Sequence, residues 1–588
     1  RSLSYICYET SLSGQASKYT NTIMIVPRAP LHVLSPLDLS VTQLSFVFTS
    51  LVVYWIFKRY EPSSPLSLSV LLLAVPGLYA CLLISHQLGV VYSVFVSYAA
   101  HWCLLVLFTI AYRVSPFHPL ASYPGPPPAR ISKFWLVWIV SQGKEYLYLH
   151  DMHRRYGDIV RIGPNELSIR HSHAVLPVLG AKGLNKGSFY TARQLLNGVN
   201  SLLSISDPVE HAVRRRPWNR AMNTVALKNY EAIVRSKVEE LIRGLLRAQA
   251  EIIDISAWMS YFGYDFMGQM AFGTDFGMLK TGSDNQGVWR LMEKGTLAFS
   301  LMSHVPWSGK WIARLPLGSN PVGMLRQIAW DNVARRIQQG SPHRDLFHHL
   351  MDEDGMEPIK PSMPIVLSDG VLAIIAGSDT TSTALSHLYY FLLRHPPVHN
   401  RLRQEIDSIF PSGEDPLAFG KHADMPYLGA CINETLRLLP PVLDGVPRST
   451  PSDKAAIVGP FVIPPNTTVM VQTYSLHRDP RNFHPLPDTF WPDRWLVQDQ
   501  YILPSGDSIK AEELILNREA YIPFSFGPAN CVGKNLALME LRAVTCAFLH
   551  KFDMTVAKGF NFDTWEENIL DYGVTTRGSL PVNLKTRY

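Results

Sequence analysis

Residues 521–549 read YIPFSFGPANCVGKNLALMELRAVTCAFL, and no other stretch of the chain says as much. Phe524 and Gly527 precede Cys531, Gly533 follows it, and an amphipathic helical pattern begins at once. A turn of this kind presents the sulfur just ahead of a helix N-terminus. Free backbone N–H groups and the positive end of the helix dipole there favour thiolate over thiol. The two glycines allow the backbone to lie close to a flat ligand. A buried cysteine in a tight strand-to-helix turn is the simpler reading, but it asks for none of these companions in register.

The rest of the composition leaves Cys531 isolated. Of 6 cysteines in 588 residues, Cys7 lies in the N-terminal tail and Cys81 and Cys103 in strongly apolar runs. Cys431, Cys531 and Cys546 are too scattered for a disulfide framework or a zinc site, which points to a reducing compartment. An apolar share of 47% with 17% charged residues allows a large core. A formal charge of +6 over this length suits contact with anionic lipid or an acidic partner protein, and argues against nucleic acid as a partner.

The N-terminal fifth reads as a membrane region. Leu39 to Phe57 is almost wholly apolar and stops at Lys58-Arg59, and Leu66 to Tyr112 carries no Asp, Glu, Lys or Arg. As one helix that second run would measure about 70 Å, over twice the hydrocarbon thickness of a bilayer. Two spans turning near His86-Gln87-Leu88-Gly89 fit better, which predicts three transmembrane helices near 39–57, 66–85 and 89–112. With three spans, Lys58, Arg59 and Arg113 share one side, cytosolic by the positive-inside tendency. A single anchor followed by a membrane-buried hairpin is the alternative. The division expected is a lumenal tail (1–38), a membrane region (39–113), a Pro-rich linker (114–130) containing Tyr123-Pro124-Gly125-Pro126-Pro127-Pro128, and a large domain (131–588). Proline stiffens the linker into a spacer.

Beyond Arg130 the pattern is mainly helical with a minor β part, an α+β class. DIVRIGPNELSI (158–169) alternates like a hairpin, and 455–474 is a second strand patch broken by turns. Long helical stretches cover Tyr230–Ala250, Ser368–Arg394 and Val398–Ile409, the last two separated by Pro396-Pro397.

Four matches in order carry a family resemblance. The Cys loop resembles the haem-binding loop of the cytochrome P450 superfamily through Phe524, Gly527, Cys531 and Gly533, with Ala529 where the family places a basic residue. AGSDTTS (376–382), NETLRLLPP (433–441) and FWPDRW (490–495) resemble three further family segments. The resemblance spans about Tyr123 to the C-terminus and is strongest to membrane-bound fungal members. It implies the cytochrome P450 fold, preceded here by transmembrane helices, and haem b with Cys531 as the axial metal ligand, a thiolate that pushes electron density onto the iron. It makes Asp379 and Thr380 the acid–alcohol pair that passes protons to the oxygen being activated, with Thr380 able to bond back to the Ala376 carbonyl and Gly377 leaving room for a flat ring. Glu434, Arg437 and Arg494 become a structural triad behind the Cys loop. The same Glu–Arg spacing at Glu240 and Arg243 reads only as a solvated surface bridge.

EHAVRRRPWNRAM (210–222) resembles a propionate-binding helix, which gives His211 and Arg215 to haem, and Arg448 resembles another propionate partner. A reductase-docking basic face is the rival reading of Arg214–Arg216. Ile374, Ala376, Val442 and Leu443 are expected to wall a pocket for an apolar small-molecule substrate. The chain holds no flavin-binding or iron–sulfur segment, so electrons are expected from NADPH through a separate cytochrome P450 reductase, with cytochrome b5 as an accessory donor. The function expected is a multi-pass endoplasmic reticulum monooxygenase with a cytosolic catalytic domain, inserting one atom of dioxygen into a secondary metabolite. A same-fold isomerase or dehydratase, or a non-catalytic membrane haem-binding protein, are the alternatives.

Overall fold

Uncharged apolar runs of twenty residues or more satisfy their own backbone polar groups best as helices, and three such helices lead the chain. In the computed structural model, residues 39–62, 64–86, 88–193, 199–308, 321–340 and 344–587 are described, so the expected lumenal tail lies outside the described residues. Helix α1 spans Leu39–Tyr60, α2 spans Pro65–Ser85 with one π turn at Val70–Ala74, and α3 spans Val90–Val114. Helix α1 runs past the expected end at 57 and carries Lys58 and Arg59 on its last turn. By length and composition each of the three is able to cross a bilayer. Their few polar side chains face one another: Ser50 Oγ lies 2.9 Å from His101 Nδ1, and His101 Nε2 lies 3.0 Å from the Leu71 carbonyl.

The chain divides into two compact units at Ala111/Tyr112. In the second unit, after short helices at Pro127–Ile131 and Lys133–Ser141, come α4 (Glu145–Tyr156) and the hairpin β1 (Ile159–Gly163) and β2 (Glu166–Ile169), paired antiparallel with Val160 opposite Ser168. All five residues of β1 are buried rather than every second one. The pattern holds because Arg161, buried among apolar neighbours, spends its guanidinium on backbone carbonyls, Pro164 O at 2.9 Å and Arg113 O at 3.2 Å.

Helices α5 (Pro208–Ala221) and α6 (Thr224–Ala248) follow, then the short strand β3 (Ile253–Asp254), α7 (Ile255–Phe272) and α8 (Val288–His304). On α6 the expected Glu240–Arg243 bridge does not form. Glu240 takes Lys237 at 2.9 Å, and Arg243 leans on Glu239 at 3.8 Å.

The central element is α9 (Met363–Arg394), long and apolar enough to cross a membrane but packed inside this unit. It crosses α7 at close range because both helices are small at the contact. A Cβ on Gly263 would sit 2.6 Å from the Ser378 carbonyl, and one on Gly377 would sit 2.5 Å from Met267 Sδ. Gly377 thus leaves room for the Met267 side chain. Helix α10 (Pro396–Ile409) opens on the proline pair, whose missing N–H groups would be unpaired in a first helical turn anyway.

Helix α11 (Pro426–Leu438), strands β4 (Arg448–Ser449) and β5 (Thr468–Val471), and helix α12 (Lys534–Lys551) complete the frame. Strand β5 pairs parallel with β2 and antiparallel with β4, so four strands from distant segments form one sheet. A second sheet joins β6 (Phe552–Val556), β7 (Pro581–Thr586) and β3. The unit is mainly α with small sheets, and its largest core lies along α6, α7, α9, α11 and α12.

Candidate active site

Cys531 ends a short loop against the start of α12, whose first residue is Lys534. Its N–H donates to the Phe524 carbonyl at 2.9 Å, which closes the loop on itself. Gly527 holds φ +74°, and a Cβ there would lie 2.0 Å from the Leu179 carbonyl, so only glycine fits. Gly533 is less constrained. Its φ is −82°, and a Cβ would stand 4.0 Å from Cys531 Sγ. Burial raises the Cys531 thiol pKa, opposed by the Gly533 N–H, Arg215 and Lys534.

A cavity of about 350 Å³ opens on the sulfur. Phe524, Asn530, Cys531 and Gly533 form one wall, Ala376, Gly377 and Thr380 of α9 another, and Lys186, His211 and Arg215 a flank. Ala529 lies on the same lining without a charge.

The flank gathers basic side chains. Arg215 donates to the Asn530 carbonyl at 2.8 Å and to Asn530 Oδ1 at 2.7 Å, which ties α5 to the Cys loop. Arg448 is buried and donates to Tyr190 Oη at 2.8 Å. It is not among the residues that line the cavity, but its charge acts on Lys186 and His211, which are. Lys186, absent from the sequence expectations, donates to carbonyls, Leu203 O at 2.8 Å and Leu202 O at 3.2 Å, and lies over the Tyr190 ring at 5.4 Å. Burial, then Arg448 and Arg215, lower Lys186 to about 7, and burial with Lys186, Arg215 and Arg448 lowers His211 to about 4. Groups so disfavoured as cations accept an anion readily. Arg214, in contrast, is spent on buried Asp369 at 2.9 Å, which removes it from any docking face.

On α9 the adjacent Asp379 and Thr380 point apart, as a step of 100° per residue requires. Thr380 lines the cavity and its hydroxyl donates to the Ala376 carbonyl at 2.5 Å without breaking the helix. Asp379 is buried on the other side with Tyr264 and Arg577, its pKa raised by burial against the pull of Arg577. Arg577 is held by three hydroxyls, Ser260, Thr383 and Ser386, each at 2.8 Å. On α9 the same helical phase corrects the expected wall, with Ile374 in the core and Leu372 and Ile375 lining the cavities beside Ala376; in the loop after α11, Val442 lines them as expected and Leu443 packs into the core.

Behind the loop, Glu434 is fully buried and accepts from Arg437 Nε at 2.8 Å, Arg437 Nη2 at 2.9 Å, Arg494 Nε at 3.0 Å, the Trp491 N–H at 3.0 Å and Trp495 Nε1 at 2.9 Å. Burial works to raise its pKa, but the two arginines and their hydrogen bonds prevail and hold it at about 2. His477 carries this network to the Cys loop. Its Nδ1 lies 3.0 Å from the Arg437 carbonyl, and its Nε2 accepts the Ile522 N–H at 2.9 Å. Burial lowers His477 to about 3, which keeps the ring neutral and fits one donor and one acceptor nitrogen.

A cavity ending on a cysteine sulfur, flanked by basic side chains and facing a helix threonine, suits a flat anionic macrocycle. A family model for cytochrome P450 matches residues 124–576. The chain belongs to the cytochrome P450 family. It is 35% identical over 83% of its length to a cytochrome P450 monooxygenase of Eupenicillium brefeldianum named orf5, covering 95% of that protein. It is 33% identical over 80% of its length to tryprostatin B 6-hydroxylase of Aspergillus fumigatus, covering 82% of that protein. It is 32% identical over 76% of its length to the monooxygenase phqL of Penicillium fellutanum, covering 77% of that protein. This cytochrome P450 is a haem-thiolate monooxygenase, and the family implies haem with sulfur ligation.

Proposed function

We propose that Cys531 ligates the iron and that this cytochrome P450 oxygenates an apolar small molecule in fungal secondary metabolism. One observation carries the reading: Cys531 Sγ and the Thr380 hydroxyl line a single cavity whose flank gathers Lys186, His211 and Arg215. Phe524, Gly527 and Gly533 shape the loop around the sulfur. Lys186, His211 and Arg215 hold the two propionates, with Arg448 braced behind them through Tyr190, and Lys186 supplies the charge that Ala529 does not. Glu434, Arg437 and Arg494 keep the loop in place, a structural role. Haem bound there supplies activation of dioxygen and transfer of one oxygen atom.

The protein's own part is to manage water and protons. Thr380 holds a proton donor at its Oγ1 on the cavity wall, and Asp379, made a better proton holder by burial, replenishes it from the Arg577 side of α9. That division of labour supports oxygenation over a rearrangement or simple haem carriage. Electrons come from NADPH through a separate cytochrome P450 reductase, with cytochrome b5 accessory. The three apolar helices support a multi-pass place in the endoplasmic reticulum membrane, tail in the lumen and catalytic domain in the cytosol. The relatives' names support secondary metabolism.

Oxygen-dependent NADPH consumption with purified reductase, paired with product analysis, tests the reading. Thr380→Ala should keep NADPH consumption but lower product per NADPH by about tenfold or more. An unchanged yield removes Thr380 from proton handling, and no oxygen-dependent consumption by the parent removes the monooxygenase.

A further inference from the structure

Arg577, from the segment before β7, reaches to both α7 and α9 and is held there by hydroxyls. Its Nε donates to Ser386 Oγ, its Nη1 to Thr383 Oγ1 and its Nη2 to Ser260 Oγ, each at 2.8 Å. Among the described residues these are the only hydrogen-bond partners of the guanidinium, and no carboxylate stands within ion-pair distance of it. An arginine buried beside acids ordinarily takes one of them in a forked pair. Here the acids are held off. Asp379, Glu293 and Asp254 act on Arg577 at longer range, with the Tyr264 phenol among them. Asp254 is spent on the N–H groups of Ser256, Ala257 and Leu580, which leaves Asp379 and Glu293.

The group is graded in exposure. Asp379 is 6% exposed and is not among the residues lining the cavity that Thr380 faces. Arg577 and Glu293 are half-buried, so the group meets solvent on their side. Glu293 lies on α8 one turn after Trp289, whose ring packs 6.1 Å from that of Tyr261 and sets this part of α8 beside the Ser260 end of α7. Burial, then Asp379, raise the Glu293 pKa against the pull of Arg577, and burial raises Asp379 against the same pull. Two carboxyls thus share the field of one guanidinium, which releases no proton itself. With both ionised the trio carries one negative charge. One added proton makes it neutral, the state that burial favours.

Resting on the monooxygenase reading, we propose that Glu293 is the inlet through which protons from solvent reach Asp379, with Arg577 as the positioning residue that holds water between the two carboxyls. A proton from solvent binds a Glu293 carboxylate oxygen and crosses hydrogen-bonded water beside Arg577. It replaces the proton that Asp379 has given to the Thr380 side of α9. Glu293 ends as the carboxylate it began as, and no electron moves in the transfer. The three hydroxyls fix Arg577 without neutralising it, so its charge limits the two carboxyls to one proton. A direct Arg577–Asp379 pair would instead keep Asp379 ionised and would have to break at each turnover.

The test uses the full-length haem-loaded protein in lipid nanodiscs. Infrared spectra of the parent, Glu293→Gln and Asp379→Asn are compared in water and heavy water, where the C=O stretch of an un-ionised carboxyl shifts on deuteration. The parent should show such a band at neutral pH, and each variant should remove or displace it. With purified reductase, Glu293→Gln should slow oxygen-dependent NADPH consumption about fivefold or more and enlarge its solvent deuterium isotope effect, whereas Glu293→Asp should recover at least about half of the parent rate. Gln keeps the shape of the side chain, so a merely structural role would survive the change. The ferrous carbonyl band, read separately, should be the parent's in all three variants. Its absence from the parent marks failure of the haem-thiolate reading, and the infrared comparison still decides this inference. A carboxyl band untouched by Glu293→Gln, or a parent-like rate and isotope effect in that variant, overturns it.

Discussion

Glu434→Gln offers the most quantitative check of how the Cys loop is held. The substitution keeps the shape of the side chain but removes the charge that answers Arg437 and Arg494, all three being fully buried. Holding the carboxyl at about 2 instead of its ordinary 4.5 corresponds to about 3 kcal/mol of stability at neutral pH. Leaving two buried guanidiniums without a counter-charge costs about 3–5 kcal/mol by general experience with broken buried pairs. A unit as large as Tyr112–Tyr588 shifts its midpoint by only about 1 °C per kcal/mol, so the loss should be about 3–5 °C. The assay is the temperature at which the sulfur-ligated carbonyl band disappears, for parent and Glu434→Gln side by side. The sign of the pH dependence is fixed. A depressed folded pKa stabilises above the unfolded value and fades as pH falls through 4.5 toward 2, so the gap between the proteins must narrow on acidification. A midpoint within about 1 °C of the parent at neutral pH would refute the idea that the buried network holds the loop.

Two further outcomes follow from the site. Gly527→Ala, at φ +74° with a Cβ 2.0 Å from the Leu179 carbonyl, should abolish haem retention at a cost above about 2 kcal/mol, whereas Gly533→Ala, at φ −82°, should keep it, as absorbance per mole of purified protein will show. Lys186→Met should lower haem occupancy at least as much as Arg448→Ala, because Lys186 lines the cavity and Arg448 acts through Tyr190; normal retention in Lys186→Met would count against its place among the propionate partners.

What could be read from the sequence was what is local. The Cys loop, the Glu434–Arg437 spacing and the apolar helices depend on residues a few positions apart, and their partners follow from short segments in fixed order. What could not be read was rotation and convergence. Placing Ile374 rather than Ile375 on the cavity wall is an error of one helical step. The Asp379 side chain turns from Thr380 for the same reason, toward an arginine 198 positions later in the chain. Lys186 sits in GLNKGSFY (183–190), where a lysine among small and aromatic residues gives no sign of burial. His477, which joins the arginine network to Ile522, carries no spacing signal toward either partner.

Whether the Cys531 sulfur holds the iron is decided most directly by the ferrous carbonyl spectrum of the purified full-length protein beside Cys531→Ser. The parent should show the red-shifted Soret band of sulfur ligation and the variant should not. A parent without that band, or a Cys531→Ser protein that still shows it, would contradict the account.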